Sequence, residues 1–163
     1  MDGEISVGIN GLKVLPCSSS SDDDGEEGGE EIVWVYFDNT SKKLLGRVKI
    51  SVSTLQPLGS IEILETTYGP DDFALDEEAG FVYFADGPLN SVLRIPLGGG
   101  EVETVIGGEN STVLPGPTSV AVGRGVSEKG WIFITTNGGY QNPVNGTYVE
   151  GGKVLAVDVG TWS

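Results

Sequence analysis

Residues 69–97 read GPDDFALDEEAGFVYFADGPLNSVLRIPL. A Gly-Pro pair and two adjacent carboxylates, Asp71 and Asp72, stand before an apolar run that alternates like a strand. Such a run, rich in β-branched and aromatic residues and bounded by Gly, Pro and Asp, is the pattern of a half-buried or fully buried strand. The order returns further along. Gly69-Pro70 recurs as Gly116-Pro117, 47 residues on, and GFVYF at 80 recurs as GWIFI at 130, 50 residues on.

Extended outward, the same reading covers the chain. No stretch of 11 residues carries a 3.6-residue apolar period, whereas 26 Gly and 8 Pro punctuate short β-forming runs. These runs are GLKVL, IVWVYF, LLGRVKI and SIEILET; DFALD, GFVYFAD, NSVLRIPL and EVETVIG; then TSVAVG, WIFITT and GKVLAVDV. The fold class is all-β. A unit of four strands in about 40–50 residues is the mark of a β-propeller blade, which cannot bury both faces of its sheet without neighbours. The sequence therefore predicts a single partial propeller domain over 1–163, with blades at roughly 8–65, 69–108 and 115–163, the third showing three strands. Residues 18–30 form an acidic insert between the first two strands of blade one. With no apolar residue to bury, that insert is expected to be disordered.

Composition excludes much chemistry. The formal net charge is −15, of which residues 22–31 supply seven acids and no base, leaving −15 + 7 = −8 elsewhere. Only nine Lys and Arg are present, too few for a basic face that neutralises phosphates, so no nucleic-acid partner is expected. The absence of His excludes Ser-His-Asp and Cys-His nucleophiles and His-ligated zinc. The single Cys17 forms neither an internal disulfide nor a zinc cluster. No apolar run approaches the roughly 18 residues of a membrane span, and MDGEISVGIN lacks the pattern of a signal peptide. Three Asn-x-Ser/Thr triplets, at Asn39, Asn110 and Asn145, nevertheless fit a secreted, glycosylated parent protein.

The aromatic residues Tyr36, Tyr83, Phe84, Trp131 and Phe133 alternate along strands and read as packing between blades. The glycine runs at 98–100 and 107–108 precede no helix and no Gly-Lys-Ser/Thr, so they read as turns. Residues 135–148, TTNGGYQNPVNGTY, form a long loop placed to line a channel mouth. Asp71 has two readings: an oxygen ligand or reactive carboxylate, or a turn residue whose carboxylate accepts backbone N–H bonds. Asn10, in Asn-Gly, likewise reads as a ligand or a tight turn.

GINGLKVL, the 69–95 stretch, and LPGPTSVAVGRG with WIFITTNGG and GKVLAVDVG together resemble the C-terminal half of SMP-30/gluconolactonase-like six-bladed propellers, especially fungal members. The resemblance implies a central channel that binds a small molecule. In metal-dependent members a divalent cation, Ca²⁺ or Mg²⁺, sits in that channel. Residue by residue it places Asn10 and Asp71 as metal ligands, with Asp71 also catalytic, in metal-assisted hydrolysis of a lactone or ester. Pro-Asp-Asp stands where the family's lactonases have Pro-Asp-Gly, and the family's N-terminal Glu ligand has no counterpart in this chain. Two further readings stand beside that one: a metal-independent channel that orients a reactive molecule, as in cyclase-type steps of fungal natural-product pathways, and a non-catalytic binding module. Three blades would leave two apolar faces open, so the chain is expected to aggregate or pair as a homodimer imitating a six-bladed ring.

Overall fold

The computed structural model of the chain describes residues 8–17 and 31–160, so the acidic insert at 18–30 lies outside the described residues. Among the described residues, eleven strands form three antiparallel sheets. Blade one holds β1 (Ile9–Pro16), β2 (Ile32–Asn39), β3 (Leu44–Ser51) and β4 (Glu62–Glu65) in chain order. Blade two repeats the order with β5 (Pro70–Asp76), β6 (Phe81–Asp86), β7 (Ser91–Pro96) and β8 (Glu103–Gly107). Blade three has three strands among the described residues, β9 (Pro117–Val122), β10 (Trp131–Thr136) and β11 (Val154–Asp158). The all-β, partly built propeller expected from the repeats is the fold observed.

Side-chain alternation explains why the middle strand of blade two is apolar without interruption. Val82 and Phe84 enter one buried cluster with Phe73, Leu93, Ile95, Tyr36, Leu45 and Leu15, which joins blades one and two. Tyr83 and Ala85 point the other way, into a cluster with Val92, Val120, Ile132 and Ile134 that joins blades two and three. A strand covered on both faces has no polar side to show. Arg47 fastens the first seam: its guanidinium stacks 3.9 Å over the Trp34 ring, pairs with Glu62 at 2.8 Å and donates to the Leu97 carbonyl of blade two at 2.9 Å.

The turn after β6 makes a second latch. Asp86 accepts from the Leu89 N–H at 3.0 Å, and Asn90, left-handed at φ 49°, accepts from the Gly116 N–H at 2.9 Å and donates to the Glu109 carbonyl at 2.8 Å. Gly107 lets this turn close, because a Cβ there would stand 2.1 Å from the Asn90 carbonyl oxygen.

Three of the five aromatic residues expected between blades, Tyr36, Tyr83 and Phe84, are buried there. Trp131 and Phe133 are placed differently. They alternate with Ile132 and Ile134, which take the inward face, and so they stand half-buried on the opposite face of blade three. Of the glycosylation triplets, Asn110 and Asn145 are exposed in turns. Asn39 instead closes β2, and its carboxamide oxygen accepts from the Lys42 N–H at 3.0 Å.

Candidate functional site

The inner strands β1, β5 and β9 each begin with the same irregularity. While β1 advances from Ile9 to Leu12, its partner steps from Asn39 to Phe37. The same happens from Pro70 to Phe73 against Asp86 to Phe84, and from Pro117 to Val120 against Thr136 to Ile134. Three steps therefore oppose two in every blade, the count of a β-bulge, which re-aims side chains at the point where it occurs. Register then makes Asn10, Asp71 and Thr118 equivalent positions on three successive blades, followed by Gly11, Asp72 and Ser119. Asp71 and Thr118 are 47 residues apart; Asn10 and Asp71 are 61 apart, and the difference, 61 − 47 = 14, is the length of residues 18–31.

The bulges bring the two candidate ligands together. The Asn10 carboxamide Nδ2 donates to Asp71 Oδ1 and to Thr40 Oγ1 at 3.3 Å. With Thr40, Gly116 and Asn137, Gln141 and Asn142 of the loop after β10, they line a cavity of about 330 Å³. Turn capping falls to other acids: Asp76 accepts from the Ala79 N–H and Asp86 from that of Leu89, each at 3.0 Å. Burial raises the Asp71 pKa, the hydrogen bond from Asn10 opposes that rise, and the charge of Asp72 adds to it.

Asp72 turns to another part of the wall. Its Oδ1 takes the Lys13 ammonium at 2.9 Å and its Oδ2 the Ser119 hydroxyl at 2.8 Å, so one carboxylate ties β1, β5 and β9 together. Burial alone would raise its pKa. The hydrogen bonds from Lys13, Ser119 and the Phe73 N–H outweigh burial and hold the carboxyl below the usual carboxylate range. This clip borders a wider cavity of about 670 Å³ whose rim carries Asp76, Glu77, Glu78 and Arg124.

Sequence reasoning passed over a third acid. Asp38, in β2, is fully buried, accepts the Gly11 N–H through Oδ1, and has no hydrogen-bond partner for Oδ2 among the described residues. Gly11 is glycine for a visible reason: a Cβ there would lie 2.6 Å from Asp38 Oδ1 and 2.7 Å from Asp72 Oδ1. Burial pushes the Asp38 pKa up to about 7; the Gly11 N–H opposes this, and the charges of Asp72 and Asp71 add to it. The positions equivalent to Asp38 hold Ala85 and Thr135, and that break in the repeat was its only signal in the sequence.

Three blades around a polar inner wall define part of a β-propeller. The structure of luciferin-regenerating enzyme is similar to this chain at a TM-score of 0.61 and 20% identity, over 78% of this chain and 42% of that one. A chain of the nidogen/laminin complex is similar at a TM-score of 0.55 and 17% identity, over 91% of this chain and 48% of that one. The chain thus spans less than half the length of each of these structures. No family model matches the sequence, and no curated protein matches it.

Proposed function

We propose that the chain forms half of the wall of a small-molecule channel of the SMP-30/gluconolactonase-like kind, whose inherited chemistry is metal-assisted hydrolysis of a lactone or related ester. One observation carries this reading: Asn10 and Asp71 occupy equivalent bulged positions on adjacent inner strands and meet across one polar cavity. The fold likeness to an enzyme named for regenerating luciferin supports a channel of catalytic type. The donors are hard oxygens, the kind Ca²⁺ and Mg²⁺ prefer. A carboxylate whose charge is disfavoured by burial also gains from a cation beside it. Asn10 and Asp71 would hold that cation, which when bound supplies Lewis-acid polarisation of a carbonyl. Asn137, Gln141 and Asn142 orient a hydroxyl-rich ligand at the mouth. Secretion of the parent protein is part of this proposal, with the exposed Asn110 and Asn145 as glycan positions.

A second reading, a channel that orients its ligand without a metal, is favoured by one observation. Among the described residues no three His, Cys, Asp or Glu side chains stand together as a metal-holding group. Titration calorimetry with Ca²⁺, Mg²⁺ and Mn²⁺ separates the two. We expect one cation per channel, and Asp71→Asn should weaken its binding about tenfold or more without lowering the melting temperature. Absence of binding heat with every cation rejects the metal-assisted reading in favour of the orienting one. Equal affinity in the variant removes Asp71 from the ligand set.

A further inference from the structure

We propose that two copies of this chain close head to tail into a two-fold ring of six blades, completing the channel between them. The inference goes beyond the functional reading and rests on two sheet faces that no described residue covers. On blade one, Leu12, Val35 and Phe37 occupy the positions that Phe73, Val82 and Phe84 hold on blade two. Those blade-two residues are buried against blade one, whereas Leu12 and its neighbour Val14 are 56% and 54% exposed.

Blade three shows the converse. Ala121, Phe133 and Val154 occupy the positions of Ala74, Tyr83 and Val92, which blade two buries against blade three, yet Val154 is 69% exposed. One chain thus displays both halves of a seam it already builds twice.

The halves sit at opposite ends of an arc of three blades, so they cannot meet within one molecule. If each of six blades turns the chain by about 60°, three turn it by about 180°. A second copy related by a two-fold axis then presents its blade-one face to the first copy's blade-three face, and the reverse contact forms at once. Two identical heterologous seams close the assembly, with no free face to propagate a fibre.

The size is adequate. At about 4.8 Å spacing and about six residues at 3.3 Å rise, the four strands of blade one give roughly 380 Å² and the three of blade three roughly 290 Å², so four faces give about 1,300 Å², within the about 1,200–2,000 Å² of stable complexes.

The test is mass by size-exclusion chromatography with light scattering at micromolar concentration. The expected mass is twice 17.0 kDa, about 34 kDa. Leu12→Lys and Val154→Glu, both at positions exposed in the single chain, should each give a folded monomer by circular dichroism. Mixed one to one, they should recover the dimer, because one seam is then wild type and the other sets Lys against Glu. Should either variant unfold, Ala156→Glu, also exposed on blade three, or Val14→Lys on blade one replaces it. A wild-type monomer overturns the inference and leaves the faces to another polypeptide. Oligomers larger than two also overturn it, because the ring then does not close. A dimer that survives either charge substitution overturns it as well, since it pairs like faces.

Discussion

Asp38→Asn is expected to make the protein more stable at pH 8 and to leave it unchanged below about pH 4. The Asp38 pKa rises from 3.8 to about 7 in the fold, so the folded state keeps a proton that the unfolded chain releases. The stabilisation linked to that proton is complete below about pH 4, is lost as pH rises toward 7, and is absent above. At about 1.4 kcal/mol per unit, a rise of about three units amounts to about 4 kcal/mol. Asparagine keeps the acceptor for the Gly11 N–H but carries no charge to bury. The variant should therefore melt about 8–16 °C higher at pH 8, at about 2–4 °C per kcal/mol. Burial also raises the Asp71 and Asp86 pKa values, but both residues remain in the variant, so the difference between two pH–melting curves isolates Asp38. Melting followed by circular dichroism in chelator-treated buffer from about pH 3.5 to 8.5 checks this. Parallel curves would mean that Asp38 is charged in the fold and paired in some other way.

The second large effect is mechanical in origin. Phe84 is fully buried where blades one and two meet, among Phe73, Val82 and Leu93, with the Tyr68 ring 6.3 Å away at an interplanar angle of 55°. Truncation leaves a void that the β5–β6–β7 ladder cannot collapse, because main-chain bonds fix the strands on both sides. Phe84→Ala should cost about 3–5 kcal/mol, a large share of the about 5–15 kcal/mol that holds a domain together. The melting temperature should fall by about 6–20 °C. Val126→Ala, at a residue 99% exposed, should move it by less than about 2 °C. A drop of that small size for Phe84→Ala would mean that blades one and two do not share a core.

The repeat of Gly-Pro and aromatic strands was legible because blade packing imposes it locally: each strand must offer apolar residues to both neighbours, and each turn needs its glycine or aspartate. Asn10 and Asp71 were legible through a family resemblance. Their equivalence was not, because residues 18–31 stretch the spacing from 47 to 61 and hide the period. Asp38 was illegible for a different reason. Its state depends on Gly11 and Asp72, residues remote in sequence that only the bulges bring beside it. Trp131 and Phe133 show what alternation leaves open, since it separates the two faces of a strand but does not say which one a neighbour covers.

The extra residue at the head of each inner strand has an evolutionary meaning. Below it, strand register and the apolar seams are fixed; at it, the side chain is released from the alternation that serves the core. Amide, carboxylate and hydroxyl stand there in turn, as Asn10, Asp71 and Thr118, above an undisturbed ladder. Selection can thus rewrite the polar inner wall one blade at a time, without renegotiating the packing that keeps the blades together.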